Sequence, residues 1–279
     1  MNFSVLFDIC SYPRFARTES EAYILNKHFF KKFGGYYDEY GNWWYRNGSE
    51  PTLFTAHSDT VHKKTAQERY YLELTSDGKS KFLHRKGDGI LGADCGTGMF
   101  IIHELITNNV PGTYVIYRDE EIGGRGSYWS AENEAVKYAH FSKCISFDRR
   151  GYADVITHQS GTRCCSDEFA IALAEQLGLN FCPSSEGIFT DSLNLTHLIP
   201  ECTNISVGYF GEHTLKEFQD LTFLEGLIAS LCKVDFGSLP VVGTGESYNE
   251  LEYMCATYPK LAADLLARCG YTVDDFSPF

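Results

Sequence analysis

The stretch from Gly112 to Gly124 constrains the fold more than any other part of the chain. It reads Gly-Thr-Tyr-Val-Ile-Tyr-Arg-Asp-Glu-Glu-Ile-Gly-Gly, and the β-branched and aromatic run from Thr113 to Tyr117 predicts a buried strand. The strand leads into two adjacent carboxylates, Glu120 and Glu121. Ligands collect at strand ends in α/β proteins, and a metal held by one carboxylate would leave the other free as a base. An isolated Glu-Glu pair is more often a solvated turn, so the interpretation depends on the rest of the chain.

Size and charge narrow the class of protein. With 279 residues, of which 43% are hydrophobic, we expect one large globular domain or two small ones. The net charge of −13 argues against nucleic acid or a membrane surface as a partner. Asp8 interrupts the apolar N-terminus, which has no basic leader, so we expect a cytoplasmic protein. Its ten cysteines, without Cys-x-x-Cys spacing, are expected to be reduced core thiols and not zinc ligands.

A loop-like segment followed by a helix-capping motif near the C-terminus predicts two parts. These are a main domain over residues 1–236 and a helical extension over residues 237–279. The residues from 237 to 245 are typical of a loop. Ser247-Tyr-Asn-Glu250 is a capping box that opens a helical tail ending near Gly270. We expect this extension to pack on the main domain.

Helices and short strands alternate through the main domain. Thr18-Glu-Ser-Glu21 is a capping box for a helix that ends at Gly34, Ser166 caps a second helix, and a third is predicted from Lys216 to Cys232. Strands are predicted at 36–45 (a hairpin), 52–56, 68–90 (two strands), 113–117, 144–148 and 154–158.

Two of these strands are followed by further metal-type residues. Strand 52–56 leads into His57-Ser-Asp59, and because residues two apart in a strand project to the same side, Asp59 can orient His57. A lone His-x-Asp is more often structural, and His62 lies outside this register and is not assigned a role. Asp148 ends the strand 144–148.

Asp94 and His213 complete the series. Asp94 lies among glycines just before a predicted helix, where a helix cap and a ligand are both reasonable roles. His213 follows a strand that begins near Cys202. Oxygen and imidazole ligands without thiolates suit a catalytic zinc-type site with open coordination positions.

Taken in order, these motifs resemble those of the co-catalytic dizinc exopeptidase superfamily, which includes zinc aminopeptidases and metal-dependent carboxypeptidases and acylases. The resemblance covers roughly residues 50 to 220 and implies an α/β fold, a three-layer α/β/α sandwich with a mixed central β-sheet. The matching segments are His57-Ser-Asp-Thr-Val61, Gly92-Ala-Asp94, Glu120-Glu-Ile-Gly123 with Gly126-Ser127, Phe147-Asp148 and His213-Thr214.

The resemblance also implies the metal ligands. Asp94 would bridge two divalent metal ions, His57 and Asp148 would complete the shell of one, and Glu121 and His213 that of the other. Zinc is the metal that the resemblance implies, and such ligands also accept cobalt or manganese.

The resemblance assigns catalytic roles to two further carboxylates. Glu120 would be the general base for a water that bridges the metals, and Asp59 would orient His57. The family pattern further implies a cis peptide bond between Asp94 and Cys95. The implied activity is hydrolysis of a terminal peptide bond.

The spacing between the motifs and their exact residues indicate which branch of the superfamily the chain resembles. Only 64 residues separate Asp148 from His213, and 36 separate His57 from Asp94, so no lid domain is expected. The His-Ser-Asp-Thr-Val motif resembles the carboxypeptidases, whereas Glu-Glu-Ile-Gly-Gly-Arg-Gly-Ser and the lidless layout resemble the aminopeptidases. We favour an aminopeptidase slightly. The alternatives are a carboxypeptidase or N-acyl amino acid amidohydrolase with the same site, an inactive binding protein, and a structural zinc protein.

The substrate is expected to be a peptide or a small amide, and association into a homo-oligomer is left open. Arg149, Arg150 and Arg163 are candidates for binding a terminal carboxylate. Asp191 and Tyr209 are candidates for lining the substrate pocket.

Overall fold

The computed structural model describes residues 1–63, 69–244 and 259–268, and the chain divides into two compact units, Met1–Gly243 and Thr244–Phe279. The first unit extends beyond the expected boundary at residue 236 because Leu239 belongs to its core. In the second unit the structure describes the helix Pro259–Arg268. The capping box at residues 247–250 lies outside the described residues, and the packing of the extension stays a prediction.

A mixed sheet of eight strands forms the centre of the first unit. Four neighbouring strands at its middle are parallel, and the strands flanking them include antiparallel pairs. In sheet order the strands are β1 (Tyr36–Tyr37), β2 (Trp43–Asn47), β6 (Gly112–Tyr117), β3 (Thr52–His57), β7 (Lys143–Arg149), β12 (Glu201–Ser206), β8 (Asp154–Ile156) and β11 (Cys182–Ser184).

Alternation along the strands builds one core on each face of this sheet. Phe54 and Ile116 belong to the larger core, whereas their neighbours Leu53 and Val115 belong to the smaller one. Helices cover both faces, so the predicted three-layer α/β/α architecture is confirmed. The helices are α1 (Ser4–Cys10), α2 (Glu19–Leu25) continuing through a π-turn (Asn26–Phe30) into α3 (Lys31–Phe33), α4 (Ala93–Thr107), α5 (Arg125–Asn133), α6 (Asp167–Leu177) and α7 (Leu221–Leu231), with 3-10 turns at Ala135–Tyr138, Asp191–Leu195 and Phe236–Ser238.

A second sheet includes residues that were expected to begin the helix at Lys216. Its strands, in order, are β13 (Tyr209–Phe210), β14 (Phe218–Asp220), β5 (Lys81–Arg85) and β4 (Leu72–Ser76), and a separate small ladder joins β9 (His158–Gln159) to β10 (Thr162–Arg163). The helix expected from Lys216 is wrong over its first turn. Phe218 to Asp220 pairs instead with β5, and the Asp220 side chain accepts hydrogen bonds from the backbone N–H groups of Thr222 and Phe223 to start α7.

Local signals account for the helices that were predicted correctly. Ser166 Oγ accepts the Phe169 N–H at 3.1 Å at the start of α6, and Gly178, at φ 62°, ends it. Thr18 caps α2 in the same way. No helix in residues 1–63, 69–244 and 259–268 is long and apolar enough to cross a bilayer.

Candidate metal centre

The parallel strands at the middle of the sheet bring the predicted ligands together. β6, β3 and β7 are neighbours and point the same way, so their carboxyl ends meet at one edge of the sheet. His57 is the last residue of β3, and Asp148 is the second-to-last residue of β7. Glu120 and Glu121 follow β6. Asp94, at the start of α4, and His213, between β13 and β14, approach the same edge.

Asp94 lies between two histidines and presents one carboxylate oxygen to each. Its Oδ1 is 3.0 Å from His57 Nε2, and its Oδ2 is 3.2 Å from His213 Nε2. His57 Nε2 is also 3.2 Å from Asp148 Oδ1, and His213 Nε2 is 3.0 Å from Glu121 Oε1. The cluster therefore consists of two groups of donors that share Asp94.

The spacing of these donors suits divalent cations. A tetrahedral zinc ion lies about 2.0–2.2 Å from its nitrogen and oxygen ligands, which places two such ligand atoms about 3.4 Å apart. The separations of 3.0–3.2 Å within each group are close to that spacing. The donors are imidazole nitrogens and carboxylate oxygens, the set that zinc, cobalt and manganese accept.

The electrostatics of the cluster show an excess of negative charge. Burial lowers the pKa of His57, but Asp148, Cys95 and Glu120 outweigh it and hold that pKa well above its usual range. Hydrogen bonds with Asp94 and Glu121 raise the pKa of His213 to about 11. Four carboxylates around two imidazoles thus stabilise added positive charge at this edge of the sheet.

Glu120 lies inside the cluster without a fixed partner. Its Oε2 is 3.9 Å from His57 Nε2, and its carboxylate forms no hydrogen bond within the part of the chain that the structure describes. Burial raises the pKa of Glu120 well above its usual range, and the charges of Asp148, Asp191 and Glu121 add to this. A buried carboxyl group that is free of structural hydrogen bonds is suited to exchanging a proton.

Asp59 connects His57 to the loop that carries the two glutamates. Its Oδ1 is 3.5 Å from His57 Nδ1, and the same ring nitrogen is 3.1 Å from the Asp59 main-chain oxygen. The carboxylate also accepts the backbone N–H groups of Glu120 and Glu121, at 3.0 and 3.1 Å. The geometry is compatible with the orienting role expected for Asp59, which stays a prediction.

The loop that carries Asp94 is held by two residues to which the sequence analysis gave no such role. Glu217, which is buried, accepts four successive backbone N–H groups, from Leu91 to Asp94, at 2.7–3.2 Å. Arg14, also buried, donates to the carbonyl oxygens of Gly92 and Ser58, at 2.8 and 3.0 Å. The Asp94–Cys95 peptide bond is cis, as the family pattern implies.

The buried Glu21 supports the strand ends that lead to His57 and to Glu120 and Glu121. Glu21 accepts hydrogen bonds from Ser58 Oγ, at 2.6 Å, and from the guanidinium of Arg118. In the sequence this residue indicated only a capping box. Gly126 is required nearby because a Cβ at this position would lie 2.3 Å from the Arg118 carbonyl oxygen.

A cavity of about 550 Å³ opens over the cluster, and three of the five candidate substrate residues line it. Arg149 and Tyr209 are in its wall, and Tyr209 Oη donates to the Asp148 main-chain oxygen at 2.9 Å. Asp191 does not line the cavity. It begins a 3-10 turn with its side chain directed into the protein, where it is buried, and burial raises its pKa to about 7. Arg150 also lines the cavity, whereas Arg163 pairs with Asp167 elsewhere.

Solved structures share this fold. Aminopeptidase PepT from Bacillus cereus superposes with a TM-score of 0.65 at 14% identity, over 82% of this chain and 95% of its own. A tripeptidase from Staphylococcus aureus gives 0.64 at 14% identity, over 83% of this chain and 96% of its own. The TET1 peptidase of Pyrococcus horikoshii, described as assembling into a tetrahedron or a large octahedral shell, gives 0.60 at 12% identity, over 83% and 98%.

The chain therefore has the fold of these peptidases over nearly their whole length, which agrees with the α/β/α architecture expected from the sequence. The segment from Asp148 to His213, which is described throughout, contains only core elements of the first unit and no lid domain. No protein-family model and no curated protein sequence matches the chain.

Proposed function

We propose that this protein is a two-metal exopeptidase that hydrolyses the terminal bond of a peptide, with an aminopeptidase slightly favoured. The observation that carries the proposal is the position of Asp94, whose two oxygens face His57 and His213 separately. A structural zinc site would be closed and rich in thiolates, whereas this cluster is open to a cavity and has one spare carboxylate.

The proposed ligands are the five side chains of the cluster. Asp94 would lie between the two cations, with His57 and Asp148 on one side and Glu121 and His213 on the other. When bound, two zinc ions, or cobalt or manganese in their place, would polarise the scissile carbonyl and lower the pKa of a nearby water.

Glu120 is the proposed general base. Its position beside His57, with no hydrogen bond holding its carboxylate in the described part of the chain, leaves Oε1 and Oε2 free to accept a proton from the attacking water. The same carboxyl then donates that proton to the leaving amine. Asp59 would keep His57 and the Glu120 backbone in place.

The choice of terminus rests on the names of the relatives and on sequence motifs. Proteins of the same fold include ones named aminopeptidase and tripeptidase. The lidless layout of this chain, seen from its own motif spacing, is the sequence cue that favours the same choice. A carboxypeptidase or N-acyl amino acid amidohydrolase is the alternative with the same site, and an inactive binding protein is the alternative without catalysis. Dipeptides blocked at one end or the other, assayed with and without chelator, distinguish these alternatives.

The substitution Glu120→Gln tests the mechanism. We expect the variant to bind the same number of zinc ions as the wild type and to lose about 100-fold or more in turnover, because acid–base catalysis is removed. Glu132→Gln, an exposed site on α5, is the matched control and should keep full activity. Near-complete activity of Glu120→Gln would contradict the assignment of the base, and failure of the wild type to bind zinc would contradict the proposal as a whole.

A homo-oligomer is part of the proposal because the TET1 peptidase of the same fold is described as assembling into a tetrahedron or a large octahedral shell. Sedimentation equilibrium of the full chain measures this. A mass above the 31.5 kDa of one chain supports it, and a monomer contradicts it.

A further inference from the structure

One wall of the cavity carries hydrogen-bond donors that no described residue accepts. The Arg149 side chain is 9% exposed, and its Nε donates to Asp154 Oδ2 at 2.9 Å, while Nη1 and Nη2 have no partner within the described ranges. Asn204, also in the wall, uses its Oδ1 to accept the Asp148 N–H at 2.9 Å. Its Nδ2 likewise has no partner among the residues described. A buried guanidinium with free N–H groups is a site for an anion.

Outside the metal cluster, the described wall of the cavity has no carboxylate without a partner, so this wall favours an anion over an amine. Among the described residues that line the cavity, Glu212 carries the one carboxylate that is not part of the metal cluster. Glu212 Oε1 accepts from Arg150 Nη1 at 2.6 Å. A positively charged group of a substrate would have to displace Arg150, whereas an anionic group meets unpaired donors on Arg149.

The sheet itself gives the distance from this wall to the cluster. Arg149 follows Asp148 on β7, Ser206 lies opposite it on β12, and its partner Asp154 begins β8, one strand further across. Because neighbouring strands are about 4.8 Å apart, a guanidinium that reaches Asp154 lies about 5–10 Å from the strand that carries Asp148. An extended peptide spans about 3.3–3.6 Å per residue, so about one to three residues fill that distance.

We propose that Arg149, with Arg150 at the rim, binds the C-terminal carboxylate of the substrate and so limits the substrates to peptides of two to four residues. This inference rests on the exopeptidase function proposed above, since it places the scissile bond at the metal cluster. Ile188 and Phe189, which line the same cavity, offer an apolar surface to the side chain of the last residue.

Arg149 and Arg150 have different parts in this subsite. Arg149 is nearly buried and fixed by Asp154, so it is held ready for a paired interaction with a carboxylate. The Arg150 side chain is 57% exposed and held by Glu212, so solvent weakens its contribution. We therefore expect Arg149 to carry most of the selectivity.

The test compares substrates that differ only at the C-terminus. Alanyl-alanine, alanyl-alaninamide, trialanine and hexa-alanine are assayed with the zinc-loaded full chain. We expect kcat/KM for alanyl-alanine to exceed that for its amide by about 10- to 100-fold, the range for a charge-assisted hydrogen bond. We expect kcat/KM to fall sharply between trialanine and hexa-alanine. Equal rates on acid and amide, or full activity on hexa-alanine, would overturn the inference.

Two arginine variants locate the effect. In Arg149→Gln the preference for acid over amide should shrink to within about threefold, because the charged partner is removed. Arg163→Gln is the matched control, since Arg163 pairs with Asp167 away from the cavity, and it should keep the wild-type preference. An unchanged preference in Arg149→Gln would contradict the assignment.

A binding measurement separates this inference from the proposed function. Zinc-loaded Glu120→Gln protein is titrated calorimetrically with alanyl-alanine and with its amide, alone and in combination with Arg149→Gln. Tighter binding of the acid that disappears with Arg149→Gln supports the carboxylate subsite, and equal binding of acid and amide overturns it. Peptide hydrolysis without discrimination refutes the subsite alone, whereas absence of hydrolysis with any substrate refutes the exopeptidase.

Discussion

The two sides of the metal cluster share Asp94 but differ in how firmly the protein holds them. On the side of His57 and Asp148, which we call the deep half, the His57 side chain is 0% exposed. Asp148 accepts from Thr190 Oγ1 at 2.7 Å, and its backbone is held by Asn204 and Tyr209.

On the side of Glu121 and His213, which we call the outer half, the His213 side chain is 45% exposed. His213 has a φ of 61° in the connection between β13 and β14, and its ring is in contact with Asp94 and Glu121. Because a fixed ligand loses less conformational entropy on binding than a mobile one, the deep half should bind its cation more tightly. The outer half should exchange its cation more readily.

The largest effect is expected from removing one histidine from each half. His57→Ala should weaken the tighter of two zinc-binding steps by more than about 100-fold, since even the partner of a ligand contributes about 10- to 100-fold. His213→Ala should weaken mainly the looser step. Calorimetric titration of chelator-treated protein measures both constants. Equal losses in both steps for both variants would contradict the difference between the halves.

A smaller effect is expected from the carboxylate behind the deep half. Asp59→Asn should weaken the tighter zinc-binding step by about 10- to 100-fold, the range for a group that orients a ligating histidine. The looser step should change less, although Asp59 also accepts the Glu121 N–H. A loss confined to the looser step would show that Asp59 acts through the glutamate loop and not through His57.

Glu217, which holds the loop of the shared ligand Asp94 and which we call the clamp, should affect zinc binding in both halves. Glu217→Gln places an amide opposite the four N–H groups around Asp94, and we expect the free energy of unfolding to fall by about 1–3 kcal/mol. Both zinc-binding steps should weaken by similar factors. Urea denaturation and zinc titration measure these changes, with Glu225→Gln, a surface site on α7, as the control. Loss from one half alone would argue against a shared clamp.

Sequence patterns indicated the proposed ligands but not the residues that hold them in place. His57, Asp148 and the Glu120–Glu121 pair follow short apolar strands, and such runs are visible in a single sequence. Glu217 contacts a loop more than 120 positions earlier in the chain, and no local pattern marks that contact.

The same limit explains the error in the helix expected from Lys216. Pairing of β14 with β5, again a non-local contact, decides that Phe218 to Asp220 is a strand. Asp191 was expected at the pocket because it follows a loop near the chemistry, yet local sequence does not determine toward which side a 3-10 turn directs its first side chain.

The smallest expected effect concerns His62, a buried residue whose Nε2 is 3.3 Å from the Ile90 main-chain oxygen. Burial lowers its pKa to about 3, and the charges of Arg14 and Arg85 add to this. The pKa of histidine in an unfolded chain is about 6.5. Between about pH 6.5 and 3 the unfolded chain therefore binds a proton that the folded chain does not, and the free energy of unfolding falls as the pH falls. From pH 7.5 to 5.5 this amounts to about 1.4 kcal/mol.

Urea denaturation at the two pH values, on wild type and His62→Asn, isolates this contribution. The variant should lose about 1.4 kcal/mol less than the wild type on acidification, whatever its stability at pH 7.5. Identical losses in the two proteins would show that His62 does not titrate differently in the folded and unfolded states.

Anomalous diffraction from crystals of the full chain grown with zinc tests the central claim most directly. We expect two peaks about 3.5–4 Å apart, one between Asp94, His57 and Asp148 and the other between Asp94, Glu121 and His213, with the deep peak the more fully occupied. A single peak, or peaks away from Asp94, would contradict it.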